Sequence, residues 1–245
     1  MATLIAGISG AIGQALAEHY LYDQPTQSLI GLCRQPDKVP AAIREHENVT
    51  LIPWQADTPL SEAVIGQLTE VLRPSSQLHT LIYAAGLLHD DQMFPEKRLQ
   101  DLAPNTMSRA FQVNCIGFGM LVQSLAPWFR GPHLSRVAAI SAKVGSISDN
   151  RFGGWYAYRC SKAALNMLVR NLSIELTRRY APVTCVALHP GTTESPLSEP
   201  FGQSLAKLTV HRPEDTARNL YRILEQLSEN DNGRFINWDG SDLPW

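Results

Sequence analysis

The chain has 245 residues, 44% of them hydrophobic and 18% charged, and its formal net charge is −2. This balance is that of a globular protein with a full core, and the small negative charge gives no electrostatic attraction to nucleic acid or to an anionic membrane. The four cysteines are scattered without a C-x-x-C pair, and the seven histidines show no ligand spacing, which argues against a disulfide framework and against a metal site.

The first ten residues, "MATLIAGISG", lack the basic segment that opens a secretory signal, and their apolar stretch breaks at Gly7. No apolar run in the sequence reaches the length of about 20 residues that crosses a bilayer. We therefore expect a cytoplasmic protein that does not act at a membrane.

Short apolar runs rich in β-branched residues predict strands at 3–7, 28–33, 49–54, 79–86, 136–141, 183–188 and 234–238. Stretches with helical spacing lie between them, at 11–21, 59–73, 105–129, 155–180 and 213–230. Because most strands are apolar on both faces and alternate with helices, we predict an α/β fold with a doubly wound, Rossmann-type parallel sheet of about seven strands. Helices should cover both faces of the sheet, in a single domain that spans residues 1–245.

The first strand runs into "AGISGAIG", residues 6–13, which opens the first helix. Glycines at such a turn let the backbone approach a pyrophosphate, whose charge meets the helix N-terminus. This position, with the alternating pattern behind it, predicts a dinucleotide-binding loop.

The loop resembles the T-G-x-x-x-G-x-G loop of the short-chain dehydrogenase/reductase family. Gly7 and Gly13 match its first and last glycines, whereas Ala6 replaces the Thr and Ala11 replaces the middle Gly, with Gly10 one position early. The resemblance implies that the cofactor is contacted by Gly7, Ser9, Gly10, Ile12 and Gly13.

The second strand ends in "GLCRQPDK". A carboxylate at its tip would bind the 2′-hydroxyl of NAD, but Cys33 stands there and Arg34 follows. A guanidinium at this place can bind a 2′-phosphate through paired hydrogen bonds, and in the resembled family it marks a preference for NADP. We therefore predict NADP(H) rather than NAD(H); the alternative is that Arg34 is a solvated loop residue.

The third and fourth strands lead to further cofactor residues. Asp57 falls where the family has an Asp that faces the adenine amino group, with Thr58 beside it; alternatively, one of the two caps the next helix. After the fourth strand, "YAAG" resembles the N-N-A-G of the family, with Ala84, Ala85 and Gly86 against the cofactor. The Asn side chains of that motif are absent here, and no replacement for their hydrogen bond is visible in the sequence.

The segment "WYAYRCSKAALN" sets Tyr158 and Lys162 four residues apart, on one face of a helix. Alone, such a pair is ordinary helix surface, in which the ring covers the Lys stem. The resemblance places this helix beside the nicotinamide, where Tyr158 is the general acid or base and Lys162 binds the nicotinamide ribose. A neighbouring ammonium lowers a Tyr pKa from about 10 toward the working pH, so we expect a lowered pKa for Tyr158. Tyr156 lies two residues away and faces elsewhere.

Two more residues complete the predicted catalytic set. Asn114 falls at the active-site Asn of the family, where it supports a proton relay to the Lys; alternatively, it is a polar residue that bends a helix. The family has I-S-S-x-x-G after the fifth strand, but here the second Ser is Ala142. We predict that Ser141 binds the substrate carbonyl, with Ser146 or a weaker polarisation as alternatives.

After the sixth strand, "HPGTTESP" resembles the P-G-x-x-x-T segment of the family, which implies that Pro190, Gly191 and Thr193 lie along the nicotinamide amide. Residues 192–213 are predicted to form a substrate lid. The apolar side chains of this lid are Leu197, Phe201, Leu205 and Leu208. They favour an apolar aldehyde or ketone as substrate; the alternative is that they only pack the lid against the core.

Over nearly its whole length the chain resembles the C-factor and sniffer-like carbonyl reductase branch of this family. The resemblance implies an NADP(H)-dependent oxidoreductase acting on a small carbonyl or alcohol, and a homodimer or homotetramer formed through its long helices. A non-catalytic NADP-binding protein with a sensing or signalling role is the main alternative. A serine hydrolase would need G-x-S-x-G after a strand, and "GISGA" offers Ser9 without the final Gly spacing.

Overall fold

The computed structural model describes residues 1–202 and 209–245. Its strands are β1 (Ala2–Ala6), β2 (Ser28–Cys33), β3 (Val49–Pro53), β4 (Thr80–Tyr83), β5 (Ser135–Ile140), β6 (Val183–His189), β7 (Thr192–Thr193), β8 (Val210–His211) and β9 (Phe235–Asn237). Seven of them form a sheet in the order β3-β2-β1-β4-β5-β6-β9, and every pairing in it is parallel. The predicted doubly wound fold is confirmed.

Helices cover both faces of this sheet. They are α1 (Ala11–Asp23), α2 (Ala41–Arg44), α3 (Glu62–Leu72), α4 (Pro104–Phe111), α5 (Gly117–Leu125), α6 (Tyr156–Tyr180) and α7 (Pro213–Gln226). Buried residues of α1 and α7 join one hydrophobic cluster, and those of α3, α5 and α6 join the other.

Alternation along the strands divides the core between these two faces. In β1, Leu4 packs into the cluster with α3, α5 and α6, whereas the next residue, Ile5, packs into the cluster with α1 and α7. Since successive strand side chains point to opposite faces, a strand that is buried on both sides must be apolar at every position.

The sheet order places a switch point between β1 and β4. The chain leaves β1 toward β2 and β3 on one side and returns to build β4, β5 and β6 on the other. Strand β4 ends at Tyr83, earlier than the predicted 79–86, and β1 ends beside it at Ala6, where Gly7 follows with φ of 89°. A crevice therefore opens at the carboxyl ends of these two strands.

The predicted helix over residues 105–129 is interrupted. Between α4 and α5, residues Gln112–Ile116 form a π-helical turn, and Ala126–Phe129 form a 3₁₀ turn after α5. At Gly117, a Cβ would overlap the carbonyl oxygen of Ala56 and lie 2.7 Å from the hydroxyl of Tyr83. Such π-helical turns are frequent at functional sites, and this one carries Asn114.

Across residues 1–202 and 209–245, none of the helices has the length and apolar character needed to cross a membrane. The same ranges contain no group of three or more His, Cys, Asp or Glu side chains arranged to bind a metal ion.

Replacing Gly117 with Ala should destabilise the fold by about 1–3 kcal/mol, because the added methyl group meets backbone and a buried ring rather than open space. Gly66, in the middle of α3, is the matched control, since a Cβ there would have nothing within 4 Å. Gly66→Ala should stabilise the protein by up to about 1 kcal/mol through helix propensity. Urea unfolding followed by circular dichroism measures the free energy of unfolding of both variants. An increase in both variants would contradict the close approach at Gly117.

Candidate active site

A cavity of about 230 Å³ lies in the crevice at the carboxyl ends of β1 to β4. The predicted cofactor residues that line it are Gly7, Ser9, Gly10, Arg34, Asp57, Ala84, Ala85 and Gly86. The other predicted cofactor residues are not part of this lining: Ile12, Gly13, Thr58, Asn114, Tyr158, Lys162, Pro190, Gly191 and Thr193.

The loop between β1 and α1 has the close approach that its glycines predict. A Cβ at Gly7 would lie 2.6 Å from the amide nitrogen of Ala85, and one at Gly13 would overlap the carbonyl oxygen of Gly7. Gly10 donates its N–H to that same carbonyl oxygen, at 3.0 Å. Both outer glycines are therefore required, whereas Ala11, the substitute for the middle Gly, is accommodated as the first residue of α1.

The N-terminus of α1 is suited to an anion. Its cap, Gly10, provides no side-chain hydrogen bond, and the first turn carries no acidic residue. The N–H groups of this turn and the positive end of the helix dipole therefore face the cavity side of the loop without a carboxylate to neutralise them. This end of the cavity fits a pyrophosphate.

At the tip of β2, burial raises the pKa of the Cys33 thiol, and the exposed Arg34 borders the cavity beside it. Asp57 also borders the cavity. The alternative that Asp57 or Thr58 caps the following helix is wrong, because Ser61 caps α3 by accepting a hydrogen bond from the N–H of Val64 at 3.3 Å. Thr58 instead closes a turn, donating its hydroxyl to the carbonyl of Gln55 at 3.0 Å.

The hydrogen bond that the sequence left without a visible source comes from Tyr83. Its buried hydroxyl donates to the carbonyl oxygen of Val113 at 2.6 Å, which joins the end of β4 to the π-helical turn. Burial raises the pKa of this phenol, so it remains a donor. Tyr83 thus ties the two segments together where the resembled motif has an Asn.

Asn114, the next residue of that turn, is fully buried and uses both ends of its amide. Its Oδ1 accepts from the N–H of Leu87 at 2.7 Å, and its Nδ2 donates to the carbonyl of Leu87 at 2.8 Å and to the hydroxyl of Ser161 at 2.9 Å. Ser161 donates in turn to the backbone carbonyl of Tyr158 at 2.8 Å. Asn114 therefore links the strand-end loop to the first turn of α6.

Tyr158 and Lys162 lie together on α6, and both are buried. The Lys162 ammonium is 5.8 Å from the centre of the Tyr158 ring and donates to the carbonyl oxygen of Ile140 at 2.8 Å. A Cβ at Gly86 would be 3.8 Å from that ammonium and 3.7 Å from Oδ1 of Asn114. Gly86, in the segment that follows β4, therefore leaves space beside the polar groups of Asn114 and Lys162, next to the cavity.

The expectation of a lowered Tyr158 pKa is wrong. Burial raises the pKa of Tyr158 to about 12 and lowers the pKa of Lys162 to about 8. Both shifts have one cause: removal from water penalises the charged form, which is the phenolate of the Tyr and the ammonium of the Lys. In this structure burial, and not the neighbouring ammonium, decides the direction of the Tyr158 pKa shift.

Ser141 and Ser146, the two candidates for binding a substrate carbonyl, and Ala142, which replaces the usual Ser, are in different surroundings. Ser141 is buried and donates its hydroxyl to Oδ1 of Asn166 at 2.6 Å. Ala142 packs instead into the cluster that contains Tyr158, as expected for neighbours in an extended backbone. The hydroxyl of Ser146 accepts from the N–H of Asp149 at 3.2 Å. This arrangement favours a structural role for Ser141.

The segment after β6 is ordered by contacts within itself and with α7. Gly191 has φ of 77°, and a Cβ there would be 2.8 Å from the ring of His211. The hydroxyls of Thr193 and Thr216 are hydrogen-bonded at 2.9 Å and are buried, so Thr193 is already engaged in this structure. Of the predicted lid over 192–213, Leu205 and Leu208 lie outside the described residues.

Sequence reasoning missed an aromatic wall beside Tyr158. The Trp155 ring lies 6.3 Å from that of Tyr158 and 4.8 Å from that of Phe201, and Phe201 packs against Phe94 at 5.3 Å. Tyr158 and Phe201 share a hydrophobic cluster with Leu88, with Leu197 packed against it.

Sequence reasoning also missed Arg109, which borders the cavity and is paired with Asp90 at 2.6 Å. No motif in the sequence marks Arg109; it lies near the end of α4, four residues before Val113, another lining residue.

The chain matches the family described as short chain dehydrogenase over residues 1–206. A curated relative, the C-signal of Myxococcus xanthus, is 35% identical over 147 residues, which cover 60% of this chain and 83% of that protein.

Two solved structures share the fold. The NADPH-bound carbonyl reductase from chicken fatty liver has a TM-score of 0.85 and 26% identity, and the match covers 99% of this chain and 98% of that chain. The carbonyl reductase Sniffer of D. melanogaster has a TM-score of 0.83 and 24% identity, with 100% and 99% covered.

Proposed function

This chain belongs to the short chain dehydrogenase family, as its motifs predict, and on that premise we propose that it transfers a hydride between NADP(H) and a carbonyl or alcohol substrate. The observation that carries the proposal is the buried pair of Tyr158 and Lys162, whose ammonium lies beside Gly86, a residue that lines the cavity. The loop of Gly7 and Gly10 lines the same cavity, so one crevice would hold the cofactor and the reacting groups.

In the direction of reduction, a bound NADPH would supply a hydride, with its electron pair, to the carbonyl carbon. Tyr158 gives its phenolic proton to the carbonyl oxygen as negative charge develops there. The charged Lys162 lies within 5.8 Å of the ring centre and stabilises the phenolate that remains. A pKa of about 12 keeps the phenol protonated until the substrate oxygen becomes more basic than the phenolate.

The tip of β2 supports NADP(H) over NAD(H). It presents the guanidinium of Arg34 to the cavity and the neutral thiol of Cys33 where NAD would need a carboxylate. The chicken reductase with which the fold is shared binds NADPH. Arg34 is proposed to bind the 2′-phosphate, and Asp57 the adenine.

An apolar substrate is proposed because the surroundings of Tyr158 are apolar. Leu88, Phe201, Trp155 and Leu197 pack around it, and Ala142 brings a methyl group where the family has a hydroxyl. We propose that residues 192–213 cover the substrate, since the described part of that segment places Phe201 against Trp155 and Leu197 beside them. Tyr158 is then the main donor to the substrate carbonyl.

A homodimer or homotetramer remains part of the proposal. The helical segments that would form it, residues 105–129 and 155–180, carry exposed apolar side chains at Ile116, Met120 and Met167. Ile116 immediately precedes α5, and Met120 lies within it. Covering these side chains with a second copy would remove apolar surface from water.

The alternative is a protein that binds NADP without turnover. Ala142 and the altered glycine loop favour it, because both are departures from the family at positions that serve catalysis or cofactor binding.

Ser9, the residue on which a hydrolase would depend, lines the proposed cofactor cavity. Membership of the family of dehydrogenases removes the hydrolase as a candidate.

Arg34→Ala should weaken NADPH binding about 10- to 100-fold and leave NADH binding unchanged, because only the 2′-phosphate loses its charged partner. Fluorescence titration of NADPH and NADH with wild type and variant measures this difference. Arg44→Ala, which removes another exposed Arg near the end of α2, is the control and should bind as wild type. An equal loss of affinity for NADPH and NADH would contradict the assignment of Arg34 to the 2′-phosphate.

Tyr158→Phe should lower the rate of carbonyl reduction at least about 100-fold and leave NADPH affinity within about twofold, because the ring remains and only the proton donor is lost. Tyr156→Phe on the same helical turn is the matched control and should keep its activity. The assay is NADPH consumption over a panel of aldehydes and ketones. A wild type that binds NADPH and reduces none of them would favour the non-catalytic alternative.

The rate of reduction should be constant at neutral pH and fall as pH rises through about 8, where Lys162 loses its charge. Tyr158, with a pKa of about 12, stays protonated through that range and does not cause the decline. Reduction rates at saturating NADPH, measured against pH, test this. In Lys162→Arg the guanidinium stays charged, so its residual activity should show no decline to about pH 10; an unchanged decline there would assign it to Tyr158.

A further inference from the structure

The helix that carries Tyr158 begins in an unusual way. Gly153, Gly154 and Trp155 have φ values of 64°, 63° and 51°, so three successive residues adopt the left-handed conformation just before α6. Trp155, the cap residue of this 25-residue helix, makes no side-chain cap hydrogen bond. A non-Gly residue in this conformation costs energy and persists only when its surroundings hold it.

Those surroundings are provided by Glu96, from the loop that follows β4. Its backbone carbonyl accepts the N–H of Trp155 at 2.5 Å, and its carboxylate oxygen Oε2 accepts the N–H of Ala157 at 3.1 Å. One distant residue thus binds the cap and the second residue of α6, and Tyr158 follows directly.

The burial of Glu96 shows that this contact is specific. The residue is only 3% exposed, and within the described residues its second oxygen, Oε1, has no hydrogen-bond partner. A buried carboxylate is costly unless it is paired, and here its partners are the free N–H groups and the positive dipole at the start of α6.

The same contacts also position the aromatic wall. The ring of Trp155 packs against Phe201 at 4.8 Å and lies 6.3 Å from the ring of Tyr158. Any displacement of Trp155 therefore changes the wall and the phenol together. A shift of about 1 Å in a reacting group can cost about 100-fold in rate.

We propose that Glu96 is a positioning residue for Tyr158: its backbone carbonyl and its carboxylate fix the first turn of α6, and so hold the phenol at the end of the cofactor cavity. The proposal rests on the proposed function for its effect on catalysis, but not for its effect on the helix.

The test compares Glu96→Ala, which removes the acceptor, with Glu96→Gln, which keeps an acceptor oxygen of the same reach. Glu96→Ala should lower kcat about 10- to 100-fold and leave NADPH affinity within about twofold, whereas Glu96→Gln should keep kcat within about threefold of wild type. Asp101→Ala is the control. It removes the acceptor of the hydrogen bonds from the N–H groups of Lys97 and Arg98 in the same loop, and it should leave kcat unchanged.

Hydrogen exchange of residues 153–162 gives a readout that does not depend on activity. Exchange should be faster in Glu96→Ala than in wild type or Glu96→Gln, and exchange of β1 should be unchanged. Unchanged kcat and exchange in Glu96→Ala would overturn the proposal, as would equal losses in the two Glu96 variants, which would assign the effect to charge alone. If Tyr158→Phe proves fully active, the proposed function fails, and the exchange data still decide whether Glu96 fixes this turn.

Discussion

The close approach of Gly7 to the backbone of Ala85 is the constraint on which the rest of the site depends. A Cβ at Gly7 would be 2.6 Å from the amide nitrogen of Ala85, so the loop after β1 and the end of β4 can meet only at a glycine. The strand order changes direction between β1 and β4, and the crevice lies at this switch point of the sheet. The close contact of Gly7 with Ala85 keeps the two strand ends together at the floor of that crevice.

A chain of hydrogen bonds then connects that arrangement to the start of α6, which carries Tyr158 and Lys162. Tyr83, at the end of β4, holds the π-helical turn, the turn presents Asn114, and Asn114 reaches the first turn of α6 through Ser161. The side chains of Tyr83, Asn114 and Ser161 are all buried, and a buried polar group that loses its hydrogen bond costs about 1–3 kcal/mol. The same contacts therefore fix the start of α6 and contribute to the stability of the fold.

The sequence predicts the local parts of this structure well. Strands such as 28–33 are apolar on both faces, and the spacing of Tyr158 and Lys162 follows from helix geometry alone. What it does not predict depends on contacts between distant segments: Tyr83 with Val113, 30 residues away, and Glu96 with Ala157, 61 residues away. The predicted direction of the Tyr158 pKa shift was wrong for a related reason. Residue type indicates which charges are neighbours, but the shift is decided by burial, which only the packed structure reveals.

The methyl group of Ala142 bears on the stereochemistry of the proposed reduction. Without a hydroxyl there, and with Tyr158 as the proposed main donor, a half-turn about the C=O axis would keep the hydrogen bond to the ketone oxygen and exchange the two faces of the carbonyl. The face turned to the nicotinamide would then be set by how the two substituents of the ketone fit against Trp155 and Phe201. The configuration of the alcohol product would then follow from the difference in size between those substituents. Ketones whose two substituents are of similar size would give nearly racemic alcohols.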